Sequence, residues 1–405
     1  MNPLEELQSR LLGLRDEHLL RVRRVVESAQ GPWIRVQSPS GPRDLLSFCS
    51  NDYLGLATHR EVSSALAHAA QVLGSGSGAS ALISGHHLAH HRIEERFAEL
   101  QSPHIPECRS LLFGTGYVAN MAAISTLADR ETEIFSDRLN HASLIDGIRL
   151  AFARRRVYAH GDLHELERML AASTARRKMI VSDAVFSMDG DLAPLARLLE
   201  LAQAHDALLM IDDAHGFGML GPQGRGSLAQ AGLRSDRIVY VGTLGKALGV
   251  SGAFVAAHAT VIEWLVQRAR PYVFSTAPPP ALAVGLEAAL NIVVGPEGDA
   301  LRAALAANVR RFRDGVNASP WELLASDTAI QPVVIGDKER TMATAAALQE
   351  EGIWVAGIRP PSVPAGSSRL RITLSAAHTR EQVERLVETL NRHAARARSD
   401  GRPSA

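Results

Sequence analysis

Five leucines near the start of the chain, Leu4, Leu7, Leu11, Leu14 and Leu19, recur at roughly helical spacing with Glu and Arg between them. This pattern predicts one amphipathic helix running to about Gly31-Pro32. Arg21, Arg23 and Arg24 fall near its end, where basic side chains complement a helix dipole. Apolar runs at Trp33–Val36 and Leu45–Phe48 predict short strands. From Ser50 onward, short apolar runs alternate with longer helical patterns. The predicted strands are Ser110–Phe113, Glu133–Phe135, Arg155–Tyr158, Met179–Asp183, Leu208–Asp212, Ile238–Thr243 and Gly252–Ala256. Helical patterns cover 59–73, 88–100, 117–128, 163–172 and 194–204. Such alternation predicts an α/β domain with a mostly parallel sheet, whose ligands sit beyond the carboxyl ends of the strands.

Past about residue 280 the pattern changes. Helical stretches 280–293 and 298–316 lead to strands near Ile330–Ile335 and Leu370–Leu374, with helices at 339–351 and 379–396. This predicts a smaller α+β domain. The expected organisation is an N-terminal segment, 1–44, packed with the small domain, a large domain over 45–290 and the small domain over 291–405. The tail Ser399–Ala405 is expected to fray.

Composition narrows the function classes. Among 405 residues, 43 Lys+Arg balance 43 Asp+Glu. That excludes a broad basic face for nucleic acid but not a local pocket for one anion. Two cysteines, Cys49 and Cys108, cannot build a disulfide framework and lack CxxC spacing. Cys49 reads as a small buried residue. The start, Met1-Asn2-Pro3-Leu4-Glu5-Glu6, lacks a basic, then apolar, leader. Apolar stretches break well before the roughly 18 residues of a membrane span. The expectation is a cytoplasmic protein with no membrane or nucleic-acid partner.

Candidate chemistry lies at predicted strand ends. Gly114-Thr115-Gly116-Tyr117-Val118-Ala119 follows one strand and opens a helix. Its GxGxxA spacing leaves backbone N–H groups at a helix start, where phosphate binds. About 110 residues precede it, whereas a dinucleotide fingerprint belongs at the first strand of its domain. Phosphate, dinucleotide and plain tight turn therefore all stay open on the loop alone. Asp212 ends a strongly apolar strand, where a carboxylate needs a cationic or donating partner. Lys246 follows the next strand, beside Gly245 and close to Thr243. Taken together, a phosphate cradle, a carboxylate and an amine after adjacent strands describe a pyridoxal phosphate site. The amine joins the cofactor's aldehyde, and the carboxylate keeps the pyridine nitrogen protonated.

Several separate strings carry a resemblance. They are Ser50-Asn51-Asp52-Tyr53-Leu54-Gly55-Leu56, Asn140-His141-Ala142-Ser143, Phe186-Ser187-Met188-Asp189-Gly190-Asp191, Asp212-Asp213-Ala214-His215-Gly216, Thr243-Leu244-Gly245-Lys246 and Arg359-Pro360-Pro361-Ser362. Over about residues 20–390 the chain resembles the α-oxoamine synthases, fold-type I pyridoxal phosphate enzymes. The resemblance implies a seven-stranded, mostly parallel sheet flanked by helices, plus the smaller domain. It implies that Lys246 holds the cofactor and moves the substrate α-proton. Asp212 would pair with the pyridine nitrogen, His215 and Ser187 would lie near the phenolic oxygen, and His141 would stack on the ring. Gly116, Tyr117 and Thr243 would meet the phosphate, with Ser275 and Thr276 reaching it from a neighbouring subunit of a homodimer. Arg359 would take the amino acid carboxylate, with Asn51 also at the substrate.

Arg21, Ser362 and the double proline look like the member that condenses L-alanine with a pimeloyl thioester in biotin synthesis. The thioester would be carried by coenzyme A or an acyl carrier protein. A terminal carboxylate on the acyl chain gives Arg21 a physical reason. The family's usual Thr is Ser362 here, which keeps the hydroxyl and loses a methyl. The alternatives are a glycine-using acyltransferase, an NAD-dependent oxidoreductase built on the GxGxxA loop, and a non-catalytic pyridoxal phosphate carrier. The His86, His87, His90, His91 cluster offers i,i+4 pairs, but the family is metal-free, so an exposed helix start is expected. The loop Gly74-Ser75-Gly76-Ser77-Gly78 is expected near the active site.

Overall fold

The structure, a computed structural model, describes residues 2–39 and 41–400. The chain opens with α1 (Pro3–Asp16), β1 (Trp33–Val36) and β2 (Arg43–Ser47). It continues through α2 (Arg60–Leu73), α3 (Leu88–Gln101), β3 (Cys108–Phe113), α4 (Gly116–Leu127), β4 (Thr132–Asp137), α5 (Ala142–Leu150) and β5 (Arg154–Tyr158). Next come α6 (Leu163–Ala171), β6 (Arg177–Asp183), α7 (Leu195–Ala204), β7 (Ala207–Asp212), α8 (Ser227–Ala231), β8 (Ile238–Thr243) and β9 (Ala253–His258). Then follow α9 (Ala259–Arg268), α10 (Arg270–Val273), α11 (Pro280–Val294), α12 (Pro296–Gly315), β10 (Glu322–Leu323) and β11 (Ile330–Gly336). The last elements are α13 (Lys338–Glu350), β12 (Ile353–Trp354), β13 (Ala356–Ile358), β14 (Ser368–Thr373) and α14 (Arg380–Asp400).

The larger of two compact units comprises 54–187 and 191–302. Its seven-stranded sheet runs β3-β9-β8-β7-β6-β4-β5. β9 is antiparallel to both neighbours, and the other pairings are parallel. These are the seven strands that the apolar runs predict. One core lies between the sheet and α4, α5 and α9, with Val181, Met210, Val239, Val241 and Val255 from the strands. Ala119, Ala122 and Ala123 of α4 are fully buried there, and their small side chains bring the helix close to its neighbours. Gly147 of α5 serves the same end, since a Cβ there would lie 3.1 Å from Ile124. Elsewhere in the unit, Phe97 stacks on Phe254 at 4.2 Å. The missing Cβ of Gly242 would meet the Phe254 ring at 2.3 Å.

The smaller unit comprises 1–53, 188–190 and 303–405. It holds a three-stranded sheet, β1-β2-β12, and a four-stranded one, β10-β11-β14-β13. The expected boundaries at 44/45 and 290/291 therefore move. Residues 45–53 join the smaller unit because β2 pairs with β1 and with β12. The start of α12 joins the larger one, where Arg302 donates to the carbonyls of Gly218 and Val293.

The N-terminal helix is shorter than its leucine pattern predicts. It ends at Asp16, because His18 takes a positive φ of 58° and the N–H groups of Leu19 and Leu20 turn back to the Leu14 carbonyl. The arginine cluster therefore lies beyond the helix and does not complement its dipole. Arg24 packs over the Trp354 ring instead, 5.1 Å from its centroid. At the other end, α14 is helical through Asp400, so Ser399 is not frayed, and the rest of the expected frayed tail, 401–405, lies outside the described residues. No single helix among the described residues is long and apolar enough to cross a membrane.

Candidate active site

The parallel strands β4, β6, β7 and β8 end within two residues of their neighbours' register, so their last residues fall along one sheet edge. β4 ends at Asp137, β6 at Asp183, β7 at Asp212 and β8 at Thr243, with Asp183 directly opposite Asp212. α4 begins just after β3 on the same sheet. Thr115 caps it, accepting the Val118 N–H at 3.2 Å. The Gly116 and Tyr117 N–H groups belong to the first turn, ahead of the helix's own hydrogen-bond ladder. A Cβ on Gly116 would fall 2.4 Å from Thr243 Cγ2, so a glycine is required where the helix start meets that hydroxyl residue. Thr243 Oγ1 donates to the Ala214 carbonyl at 3.1 Å, and Lys246 Nζ lies 3.4 Å from the same oxygen.

Asp212 is 3% exposed. Its Oδ1 accepts the Ala214 N–H at 3.0 Å and its Oδ2 accepts from Asn120 Nδ2 at 2.6 Å. Asp183 accepts the His141 backbone N–H at 2.7 Å. Burial, reinforced by the neighbouring Asp212 charge, pushes the Asp183 carboxyl well above the ordinary carboxylate range. His141 caps α5, and its Nδ1 sits 2.8 Å from Ser143 Oγ. Burial pushes its imidazole down, and the Lys246 charge adds to this against the pull of Asp212. The Tyr117 ring stands edge-on to His141 at 6.3 Å, and its hydroxyl donates to Asp146. Tyr117 is 38% exposed, so it is not a plain core residue.

Two turns flank this row. His215 is buried one turn beyond Asp212. Beside it, Asp213 accepts from Tyr240 Oη at 2.6 Å and from the Ser227 N–H at 2.7 Å, and burial pushes its carboxyl up to about 7. Ser187 is half-buried in the turn after β6. The flanks of that turn are tied by the Phe186 N–H, which donates to the Asp191 carbonyl. His160 bridges Asp137 at 3.0 Å and Asp191 at 2.8 Å and meets the Phe186 ring edge-on at 4.4 Å.

Ser275 and Thr276 are exposed and line a cavity together with Gly114, Thr115 and Val118 at the start of α4. Their segment pairs with the glycine-rich loop: Ser80 bridges Thr276, and the Ala277 N–H donates to the Ala79 carbonyl. Ser77 Oγ also donates to the Pro278 carbonyl at 2.5 Å. In the histidine cluster, His86, His87 and His91 are exposed at the start of α3 as expected, whereas His90 is buried. His87 caps α3, His86 pairs with Glu94 at 3.0 Å and His90 is 2% exposed. Cys49 is half-buried, with Sγ 3.4 Å from Ser47 Oγ.

Within the smaller unit, Arg21 Nη2 reaches Ser362 Oγ at 3.4 Å, and Arg359 Nη2 donates to the Leu20 carbonyl at 3.0 Å. The chain stretch carrying Arg21 thus lies against the Arg359–Ser362 turn. Asn51 Oδ1 instead accepts from Arg371 at 3.2 and 3.3 Å. Arg371, 5% exposed, was not singled out from sequence, and neither were Asn120, Ser143 and Asp183. Asn120 and Asp183 interrupt or end apolar runs, where burial obliges a polar side chain to find a partner. Arg371 and Ser143 lie in mixed polar stretches that carry no such mark.

The side chains of the larger unit fit pyridoxal phosphate. The cradle left by Gly116 at a helix start suits a phosphate, Lys246 supplies the amine, and the fully buried Asp212 carboxylate suits a pyridinium. Residues 43–390 match the family described as aminotransferase class I and II. The chain belongs to the class I and II aminotransferase family. Class I and II relatives include 8-amino-7-oxononanoate synthase of Bordetella petrii, 54% identical over 96% of this chain and 98% of that one. The enzyme of the same name from Janthinobacterium sp. is 55% identical over 95% and 96%. Among solved structures, one described as SPT with PLP internal aldimine has a TM-score of 0.89 at 28% identity, covering 98% and 99%. The 8-amino-7-oxononanoate synthase of Francisella tularensis has a TM-score of 0.75 at 28% identity, covering 87% and 99%. The class I and II fold is thus the expected fold-type I arrangement, with its seven-stranded sheet.

Proposed function

We infer that this protein is an 8-amino-7-oxononanoate synthase, condensing L-alanine with a pimeloyl thioester to give the aminoketone, free thiol and carbon dioxide in biotin synthesis. The observation that carries the chemistry is the grouping of Lys246, Thr243, Asp212, His141 and the start of α4 along one sheet edge. Identity of 54% over nearly the whole length supports the substrate choice. A cytoplasmic homodimer, with Ser275 and Thr276 serving the neighbouring subunit, belongs to the same reading.

Bound here, pyridoxal phosphate supplies an electron sink for the pair left on the amino acid's α-carbon. Lys246 would hold the cofactor through its amine and, once the substrate amine replaces it, would take the α-proton. Asp212 would keep a proton on the ring nitrogen, His215 and Ser187 would lie near the phenolic oxygen, and Thr243 with the first turn of α4 would hold the phosphate. His141 would stack on the ring. The α-carbon forms its bond to the acyl carbon as the carbon–sulfur bond breaks, and the thiol leaves with a proton. The carboxylate carbon then departs as carbon dioxide, and a proton returns to the α-carbon. Arg359 is assigned to the amino acid carboxylate, and Arg371 with Asn51 forms a second cationic place of that kind. Arg21, with Ser362, meets the terminal carboxylate of the acyl chain, where a guanidinium offers paired donors.

The test is a panel of L-alanine and glycine, each against pimeloyl, succinyl and acetyl thioesters on coenzyme A and on acyl carrier protein. Preference for L-alanine with pimeloyl is expected. Preference for glycine with a short acyl group overturns the substrate assignment, and a colourless protein that binds NAD overturns the class.

A further inference from the structure

We propose that Asn120 and Ser143 form a positioning pair that couples Asp212 to His141, orienting the carboxylate and fixing the imidazole proton on Nε2. The inference deepens the function proposed above and rests on it for what the two end groups face. The geometry itself lies within one unit.

Asn120 sits mid-way along α4, 1% exposed, on a helix otherwise lined there with alanines. Close packing of α4 on α5 lets it reach two acceptors. The place for a Cβ on Gly147 is only 3.2 Å from the Asn120 carbonyl. One amide N–H goes to Asp212 Oδ2 at 2.6 Å and the other to Ser143 Oγ at 2.9 Å. Turning the amide over would set its carbonyl against the Asp212 carboxylate, acceptor against acceptor, so the donor assignment follows from the network.

The second link follows from counting hydrogens. Ser143 Oγ lies 2.8 Å from His141 Nδ1 and accepts from Asn120 with one of its two lone pairs, so its O–H is free to donate to that nitrogen. The Ser143 backbone N–H is aimed at that same nitrogen at 3.3 Å, which requires a lone pair on Nδ1 and so makes the Ser143 O–H its second donor. A nitrogen that accepts two donors carries no proton. Neutral His141 must therefore hold its proton on Nε2. Asp183 fixes the residue's backbone from the other side. The imidazole is thereby set to present a donor edge rather than a basic one. It is suited to hold a carbonyl or carboxylate oxygen of the reactants, not to remove their protons.

The experiment uses the full-length protein with 15N-labelled histidine, loaded with pyridoxal phosphate and again after its removal, with His141→Asn to assign the signals. The expected wild-type spectrum shows unprotonated Nδ1 and protonated Nε2 in both states. Ser143→Ala is expected to move the Nδ1 resonance, and Ser143→Thr, which keeps the hydroxyl, to restore it. Asn120→Ala is expected to move the same resonance and to weaken pyridoxal phosphate retention about tenfold, the scale of a lost hydrogen bond to a charged group. A protonated Nδ1 in the wild type, or an unmoved resonance in folded Ser143→Ala, overturns the proposal. A wild type active in the substrate panel with Nδ1 protonated defeats this inference alone, and an inactive one with the expected tautomer defeats only the functional reading.

Discussion

Gly116 and Thr243 approach each other so closely that a single added Cβ on the first would fall 2.4 Å from the methyl carbon of the second. The start of α4 and the end of β8 therefore share one small space, the space assigned to the cofactor phosphate. Gly116→Ala is expected to push the helix start and Thr243 apart. Retention of pyridoxal phosphate, followed by absorbance through dialysis, should weaken by about tenfold or more, while the circular dichroism spectrum stays that of the wild type. Unchanged retention would remove Gly116 from the site.

Lys246→Ala is expected to abolish turnover and to eliminate the visible band that borohydride fixes to the chain. Mass spectrometry of the reduced wild type should place the adduct on the peptide that contains Lys246. Full activity in the variant would refute the role.

Asp213 is fully buried, with its carboxyl pushed up to about 7 by burial. In the unfolded chain it titrates near 4. The folded state holds this proton more tightly, so the group's contribution to stability falls as pH rises from about 4 through about 7. Asp213→Asn keeps an acceptor for Tyr240 and Ser227 and removes the titration. Urea unfolding should show the variant gaining on the wild type between pH 5 and pH 8, by roughly 1 kcal/mol or more. Parallel curves would show that Asp213 is not protonated in the fold.

His160 titrates in the next window. Hydrogen bonds that the protonated ring donates to Asp137 and Asp191 raise its pKa to about 10. The stabilisation is complete below about 6.5 and is lost as pH rises through about 10. His160→Gln should flatten the alkaline limb of the stability profile. It should also loosen the Phe186–Asp191 turn, read as faster proteolysis there. An alkaline limb identical to the wild type's would exclude the clamp as its cause.

The guanidiniums of the smaller unit are expected to divide the substrates between them. Arg21→Ala should raise KM for the pimeloyl thioester about tenfold or more and leave pyridoxal phosphate loading unchanged. Arg371→Ala should act instead on KM for L-alanine. Equal loss of loading and thioester use in Arg21→Ala counts against the assignment.

The inner sheet strands β6, β7, β8 and β9 were legible because a strand buried on both faces reads as a nearly unbroken apolar run. The edge strand β5, with three arginines and an exposed start, shows only a short apolar end at Val157-Tyr158. Helix ends were less so. The leucine spacing continues past Asp16 to Leu19, but His18 turns the chain, and periodicity alone carries no mark of that turn. α5 went unread because it is only nine residues long and contains Gly147. Lys246, Asp212 and His141 stand at strand and helix ends, where motif spacing exposes them. Asn120 and Arg371 lie inside regular elements, and only three-dimensional packing reveals that each faces a partner. The two added units of the row, Asp183 and Ser143, become visible only through strand register and the cap of α5.

The pairing of Leu46 with Ile353 has a consequence for biosynthesis. As the chain leaves the ribosome, β2 emerges early and keeps one edge without its strand partner until β12 follows. The larger unit, complete by residue 302, can consolidate during that wait. The smaller unit cannot, and its exposed strand edge is open to wrong pairing throughout. Slowed translation of the last hundred or so codons would lengthen that interval, so yield of active protein should depend more on elongation speed there than in the middle of the message.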